Sequence, residues 1–197
     1  MSYFPFFIDI AEKECMIIGD GAVAKRKAKI LESYGARVHT YGKGQWQFRQ
    51  FSKAFLVIAA TNDRSINEKI SNYCRERNIL VNVADSKAES AFLFPSVTER
   101  GPVSIGITTS GYSPLVSAGI REKIDEMLPK ELGEITIFMG EIREEIKRLP
   151  VSHTMRKRIF HAVYQMAEDK RRKLKEEEVK AVIKKLLGEE YGNISEK

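Results

Sequence analysis

A short apolar run that ends in two closely spaced glycines constrains this chain more than any other feature. The run covers residues 15–18, and Gly19, Gly21 and Ala24 follow it in the spacing G-x-G-x-x-A. Gly19 permits a tight turn out of a strand, Gly21 lets the backbone approach a pyrophosphate, and Ala24 lets the next helix pack close to the sheet. The N–H groups at the start of that helix then face the phosphates. The pattern predicts a strand-turn-helix unit that binds a dinucleotide.

Strands and helices alternate through the first part of the chain. Apolar runs and helical spacing predict strands over 14–18, 36–41, 54–60, 80–84 and 103–107, helices over 22–34 and 65–78, and a brief edge strand around Trp46 and Phe48. Gly35 is expected to cap the first helix, and residues 4–10 to pack beside the first strand. This order predicts an α/β fold with a Rossmann-like, mainly parallel sheet.

Beyond Pro114 the pattern becomes helical. A helix is expected over 115–128, ending at Pro129, and three apolar stripes follow over 132–149, 155–166 and 179–187. Ser152 is a plausible cap for the second stripe, Gly188 is expected to end the third, and the tail after Tyr191 to fray. We therefore divide the chain into a dinucleotide-binding domain (1–113), a middle segment (114–150) and a small helical domain (151–197).

Composition narrows the possible partners. The formal charge of +6 is compatible with nucleic acid, an anionic surface or a polyanionic small molecule. The basic residues form no compact stripe with interleaved aromatics, so nucleic acid is the weaker interpretation. The three histidines form no metal-ligand cluster in the sequence, and no apolar run is long enough for a membrane span. Cys15 and Cys74 are predicted to be buried thiols, which suits a reducing cytoplasm.

Charged and polar residues near the predicted strand ends suggest roles. Many NAD enzymes place an acidic residue at the end of the second strand, but residues 38–43 contain no carboxylate. Lys43 leaves a 2′-phosphate possible, so NAD and NADP both stay open. Asp85 ends an apolar strand at the ligand-binding edge, where a carboxylate can take a proton while a hydride leaves a neighbouring carbon. The cluster Lys25, Arg26, Lys27 and Lys29 is expected to be a solvated helix face, and its position near the phosphate-binding turn leaves a role in binding open as the alternative.

Several motifs in one order resemble a known family. They are Phe4-Pro5-Phe6-Phe7, Val23-Ala24-Lys25-Arg26-Lys27, Val57-Ile58-Ala59-Ala60-Thr61-Asn62-Asp63, Val81-Asn82-Val83-Ala84-Asp85, Phe92-Leu93-Phe94-Pro95-Ser96 and Thr108-Thr109-Ser110-Gly111-Tyr112-Ser113-Pro114. Over about residues 3–128 the chain resembles the precorrin-2 dehydrogenases of the siroheme synthase type. The resemblance implies oxidation of precorrin-2 to sirohydrochlorin with NAD+ in a homodimer. It also implies that the middle segment (114–150) is a dimerisation segment and that the helical tail closes over a tetrapyrrole cleft.

The resemblance also assigns roles position by position. Asp85 matches the family's essential aspartate, which is proposed as the general base. The residues expected to bind the cofactor are Gly19, Gly21, Ala22, Val23, Thr61 and Asp63, together with Lys43 beside the second strand. The residues expected to bind the substrate are Thr109, Ser110, Gly111 and Ser113 of one loop and the basic side chain of Arg121.

The sequence departs from the family at three places. Asp20 occupies a position that is usually small, Ser110 stands where glycine is common, and the segment after Gly42 is short. Two alternatives to a monofunctional dehydrogenase stay open. One is a bifunctional enzyme that also inserts Fe2+ or Co2+ into sirohydrochlorin, and the other is a non-catalytic module that senses a dinucleotide.

Overall fold

The computed structural model describes residues 3–192, with the backbone alone for residues 189–192. The tail predicted beyond Tyr191 lies outside these residues from position 193 onward. The described chain divides into two compact units. We call residues 3–95 with 108–114 the sheet unit, and residues 96–107 with 115–192 the helical unit.

The helices and strands follow one another along the chain with short connections. In chain order they are β1 (Glu14–Ile18), α1 (Ala22–Ser33), β2 (Arg37–Tyr41), a 3₁₀ helix (Phe48–Lys53), β3 (Leu56–Ala59), α2 (Arg64–Glu76), β4 (Leu80–Val83), β5 (Ser96–Arg100), β6 (Val103–Ile107), α3 (Pro114–Met127), α4 (Leu132–Arg148), α5 (His153–Lys170) and α6 (Glu176–Gly192). No helix in the described part of the chain is long and apolar enough to cross a membrane.

Parallel strands form the centre of the sheet unit in the order β2-β1-β3-β4. The chain goes from β1 to β2 on one side and then crosses to β3 on the other, so the strand order reverses beside β1. The register pairs Ile18 with both Tyr41 and Ala59, and Ala59 with Val83, so the strands end at one level. Ligands of open α/β sheets bind at such an edge and such a switch point. The predicted Rossmann-like parallel sheet is confirmed.

Helices cover both faces of this sheet. Cys15, Ile17 and Ile58 pack toward α1 on one face, and Met16, Ile18 and Val57 pack with Ile70 of α2 on the other. Because both faces are buried at the centre of the sheet, residues 15–18 of β1 and 56–59 of β3 are continuous apolar runs, whereas the edge strand β2 contains exposed polar residues.

The two cysteines belong to this core. Cys15 and Cys74 are free and fully buried, as predicted. Burial raises the pKa of the Cys15 thiol to about 11 and that of the Cys74 thiol to about 12. Both thiols are therefore protonated at neutral pH and serve as packing groups.

The chain between β2 and β3 contradicts the predicted edge strand around Trp46 and Phe48. It forms the 3₁₀ helix instead. The rings of Trp46, Phe48, Phe51 and Tyr73 pack against one another with centroids between 4.5 and 5.8 Å apart. The alternating aromatic residues therefore converge on one cluster at the edge of the core, where ring contacts replace ladder hydrogen bonds.

Two further expectations about exposure are corrected. Within residues 4–10, Ile10 packs against the core, whereas Phe4 and Phe7 are 82% and 77% exposed. Lys27 is only 5% exposed, although the sequence predicts it on a solvated face with its basic neighbours. Gly35 adopts a φ of +78° directly after α1 and donates its N–H to the Glu32 carbonyl, as expected of a helix-ending glycine.

The helical unit begins with an antiparallel hairpin of β5 and β6, in which Ser96 pairs with Ile107 and Arg100 with Val103. Strand β5 was not predicted from the sequence. Asp125 of α3 accepts a hydrogen bond from the Thr98 hydroxyl and forms an ion pair with Arg100 at 3.0 Å. These contacts lower the pKa of the Asp125 carboxyl and fix α3 to the hairpin.

Helices α4, α5 and α6 share one apolar core. Ile146, Met155 and Ile159 are its most deeply buried large side chains. Ser152 caps α5 by accepting the Met155 N–H at 3.1 Å, which confirms the predicted cap. The predicted end at Gly188 is wrong, because α6 continues to Gly192.

Candidate active site at the carboxyl ends of the parallel strands

The predicted dinucleotide corner lies where β1 ends and α1 begins. Gly19 has a φ of +133°, and a Cβ there would stand 2.7 Å from the carbonyl carbon of Ala60, so the position accepts only glycine. Gly21 is the N-cap of α1, and the space where its Cβ would stand is open. The first turn of α1 contains no acidic residue. Its N–H groups can therefore receive an anion such as a pyrophosphate, so the corner fits a dinucleotide.

Ala22 and Val23 form the first turn of α1 and are exposed beside this corner. Asp20 lies between the two glycines, and its carboxylate points toward Gly42 at the end of β2. Asp20 Oδ2 lies 3.3 Å from the place where a Cβ of Gly42 would stand. Lys43 follows Gly42 and is exposed.

Thr61 and Asp63 follow β3 and organise the start of α2. Asp63 is the N-cap and accepts the Ser65 N–H at 2.9 Å and the Ser65 hydroxyl at 2.8 Å. These hydrogen bonds lower the pKa of the Asp63 carboxyl. Buried Asn67 accepts the Thr61 hydroxyl at 2.7 Å and donates to the Thr61 carbonyl at 3.0 Å. The contacts of Thr61 and Asp63 with a cofactor stay a prediction.

Asp85 lies just beyond the end of β4 and is exposed. Asn67 Nδ2 lies 3.5 Å from Asp85 Oδ1, at the outer limit for a hydrogen bond. A β-bridge between Val83 and Ser86 turns the chain at this point, and the Ser90 hydroxyl accepts the Val83 N–H at 2.9 Å. The turn thus holds an accessible carboxylate at the same sheet edge as the glycine corner.

The loop over 108–114 belongs to the sheet unit and is held by its own hydroxyl groups. Thr109 Oγ1 donates to the Ser113 carbonyl at 2.9 Å and accepts the Ser113 N–H at 3.1 Å. Ser110 and Gly111 both have positive φ, of 55° and 76°. Lys87, two residues after Asp85, passes beneath this loop: its Cδ would lie 3.0 Å from a Cβ at Gly111. The predicted substrate loop and the Asp85 turn are therefore neighbours.

A buried lysine supports this edge from below. Lys27 of α1 donates to Asn82 Oδ1 at 2.5 Å, and Asn82 donates to the Phe92 carbonyl at 3.0 Å. The Lys27 amine also lies 5.2 Å from the centre of the Phe94 ring, a cation–π distance. Burial lowers the pKa of the Lys27 amine to about 8. The network links α1 through β4 to the chain that follows the Asp85 turn.

Arg121, the remaining predicted substrate ligand, lies on α3 in the helical unit and pairs with Glu122 at 3.2 Å. Its role stays a prediction. Sequence reasoning missed Asn67 and Lys87. Asn67 had a readable signal, since a polar residue four positions after the Asp63 cap faces the same strand end. Lys87 had none, because its place depends on how the loop over 108–114 folds back.

Comparison with known proteins finds similarity to this chain both in sequence and in fold. Residues 6–96 match a protein family described as putative NAD(P)-binding. The siroheme synthase 1 of Pectobacterium atrosepticum is 32% identical over 83% of this chain and 38% of its own length. The siroheme synthase of Buchnera aphidicola is 33% identical over 83% and 40%, and that of Zymomonas mobilis is 34% identical over 76% and 36%. The chain thus spans about two fifths of the length of these curated relatives.

A solved structure named "SirC, precorrin-2 dehydrogenase" superposes on the chain with a TM-score of 0.64 and 22% identity. The match covers 93% of this chain and 98% of that one, and it shows that the two share a fold. The chain is therefore similar in sequence to siroheme synthases over most of its own length, and residues 6–96 match a putative NAD(P)-binding family.

Proposed function

We propose that this chain is a dehydrogenase that oxidises precorrin-2 to sirohydrochlorin with NAD+. The observation that carries this proposal is the meeting of two groups at one sheet edge. The strand register brings the open glycine corner after β1 level with the accessible carboxylate after β4. The relatives named siroheme synthase and the fold of a precorrin-2 dehydrogenase support the assignment of the substrate.

The proposed roles follow from the geometry. Gly19 makes the tight turn at this corner, and Gly21 and the first turn of α1, Ala22 and Val23, hold the pyrophosphate through backbone N–H groups. Thr61 and Asp63 lie just after β3, at the same edge of the sheet. When bound, the dinucleotide supplies an acceptor for the hydride that the substrate loses.

Asp85 takes the accompanying proton. Oxidation of precorrin-2 removes one hydride and one proton, and the exposed Asp85 carboxylate accepts the proton from the substrate. Asn67, whose amide is fixed by Thr61, keeps the carboxylate oriented. The substrate carries several carboxylates. In the loop of Thr109, Ser110, Gly111 and Ser113, hydrogen bonds between Thr109 and Ser113 fix the shape, and the Ser110 hydroxyl and the Gly111 N–H are the donors for those carboxylates.

The decisive experiment gives the purified chain precorrin-2 and NAD+ and measures NADH and sirohydrochlorin by absorbance. Asp85→Asn keeps the size of the side chain and removes the base, so turnover should fall by about 10²- to 10⁴-fold. Binding of NAD+ should change little. Glu68→Gln, which removes an exposed carboxylate from α2, is the matched control and should retain full turnover. Undiminished turnover of Asp85→Asn would refute the assigned base.

A bifunctional enzyme is the second candidate, because the relatives are named siroheme synthases and siroheme contains iron. Sirohydrochlorin is incubated with Fe2+ or Co2+ with and without the protein, and the rate of metal insertion is compared. Acceleration by the wild type that is lost in Asp85→Asn would favour a shared site. Binding of NAD+ without oxidation or metal insertion would favour the sensing module.

We also propose a homodimer formed through the segment 114–150, in the cytoplasm, where its two thiols stay reduced. Helix α3 exposes large apolar side chains: Leu115 is 83% and Met127 80% exposed, and Val116 and Ile120 lie between them. A patch of this kind is typical of a surface that another chain covers. Analytical ultracentrifugation should give a dimer for the wild type and a monomer for Leu115→Lys/Met127→Lys. A monomeric wild type would refute the dimer.

A further inference from the structure

The structure points to Asp20 as the residue that selects NAD+ over NADP+, a proposal that rests on the dinucleotide-dependent function above. In dinucleotide-binding folds, an acidic side chain about 20 residues after the glycine motif hydrogen-bonds the ribose 2′-hydroxyl. Position 42 has this spacing from the motif but is a glycine, and no carboxylate occurs in residues 38–43. The chain therefore lacks the usual acid at the end of β2.

Asp20 fills this place from the neighbouring strand. The Gly19 N–H donates to the Tyr41 carbonyl at 2.8 Å, so the residues after β1 and after β2 lie side by side. Asp20 Oδ2 then lies 3.3 Å from the place of a Gly42 Cβ. The Asp20 carboxylate is thus within contact distance of the first side-chain atom that any other residue at position 42 would carry.

The Asp20 carboxylate is available for a ligand. Asp20 is exposed, and within residues 3–192 no hydrogen bond or ion pair engages its carboxylate. Gln45, the other side chain near this point, is already engaged, because its Oε1 accepts the Gly42 N–H at 2.9 Å.

Two charges of opposite sign thus flank the place of the adenosine ribose. The Asp20 carboxylate accepts hydrogen bonds from a free 2′-hydroxyl and repels a 2′-phosphate, whereas the exposed Lys43 attracts a 2′-phosphate. The Asp20 carboxylate lies 3.3 Å from the place of a Gly42 Cβ, and this proximity gives Asp20 a larger effect than Lys43. The consequence is a preference for NAD+.

The test measures the dissociation constants of NAD+ and NADP+ for the full chain by calorimetry. The wild type should bind NAD+ at least about tenfold more tightly than NADP+. Asp20→Asn removes the charge with little change of shape and should bring the two constants to within about threefold, mainly by tighter binding of NADP+. Asp20→Asn/Lys43→Ala should lose that gain. Glu32→Gln, which removes an exposed carboxylate near the far end of α1, should keep the wild-type ratio.

The possible failures are distinguishable. Equal binding of the two dinucleotides by the wild type, or an unchanged ratio in Asp20→Asn, would overturn this inference and leave the dehydrogenase proposal standing. An NAD+ preference that Asp20→Gly retains would also overturn it. A wild type that is folded by circular dichroism but binds neither dinucleotide would overturn both the inference and the proposed function.

Discussion

The two units bury different kinds of side chain. In the sheet unit, polar residues are buried together with the apolar core, and each is hydrogen-bonded: Lys27, Asn67, Ser71, Asn82 and Ser90. In the helical unit, the buried side chains described for α4, α5 and α6 are all apolar. Apolar cores tolerate exchanges that conserve volume, whereas buried polar networks fail when one partner is lost. Single atoms therefore matter more in the sheet unit than in the core of α4, α5 and α6; the polar side chains that the helical unit buries, Thr98 and Ser117, lie outside that core.

The largest difference should appear on adding one methyl group at Gly19. Gly19→Ala puts a Cβ against the Ala60 carbonyl and requires a φ of +133° from an alanine. We expect a loss of about 3 kcal/mol in the free energy of unfolding and loss of dinucleotide binding. Urea denaturation and calorimetry measure the two effects. A fully stable variant that binds NAD+ normally would contradict the close approach of the two strands.

The next effect depends on pH and concerns the buried amine of Lys27. The unfolded chain keeps this proton up to about pH 10.5, whereas the folded chain releases it near pH 8. Between these values the unfolded state binds more protons, so this group makes the folded state more stable as the pH rises. Relative to Lys27→Met, wild-type stability should rise by about 3 kcal/mol across that interval. If the free energies of unfolding of the two proteins changed equally with pH, Lys27 would not be buried in the folded state.

This lysine also shows what the sequence could reveal about the fold. Position 27 lies three residues after Ala24 and four before Leu31, both buried, so helical periodicity already places it on the core side of α1. Its charge suggested a solvated face, because a lysine is rarely buried without a partner. The partner is Asn82, 55 positions away, and no local pattern announces it.

The parallel sheet and its glycine corner were predictable because each depends on local signals. The central strands β1 and β3 are apolar runs bounded by turns, and Gly19 and Gly21 stand in a fixed spacing. β5 was missed because Ser96–Arg100 is polar and becomes a strand only through pairing with β6. In the candidate site, Asp85 was predictable as the end of an apolar run. The place of the Asp20 carboxylate was not, since it depends on the register between β1 and β2.

A smaller effect on stability is expected from the loss of a helix cap, and the two units have different kinds of cap. Ser152→Ala in the helical unit should lower the free energy of unfolding by about 1 kcal/mol at every pH, because a hydroxyl cap does not titrate. Asp63→Ala in the sheet unit should destabilise the protein at neutral pH and lose this effect in acid. The Asp63 pKa is lowered in the folded state, so its stabilisation is present above the unfolded pKa and disappears as the pH falls through the folded pKa. Thermal denaturation at several pH values measures both effects.

The smallest effect has the opposite sign. Gly140 lies inside α4 with open space where a Cβ would stand. Gly140→Ala should therefore raise the free energy of unfolding by about 0.5–1 kcal/mol, since alanine favours the helix. The same chemical change thus destabilises the sheet unit at Gly19 and stabilises the helical unit here. Destabilisation by Gly140→Ala would show that α4 packs against something at this position.

The path of the chain between the two units has a consequence for how such a protein can be divided. The chain leaves the sheet unit after residue 95, returns at residue 108 and leaves again after residue 114. A single cut therefore never yields both units whole: a break before 96 removes the loop of Thr109 to Ser113 from the sheet unit, and a break after 114 leaves the hairpin behind. Exchange of one unit between relatives by a single recombination event would carry over an incomplete partner. Two matched junctions are needed for a working hybrid.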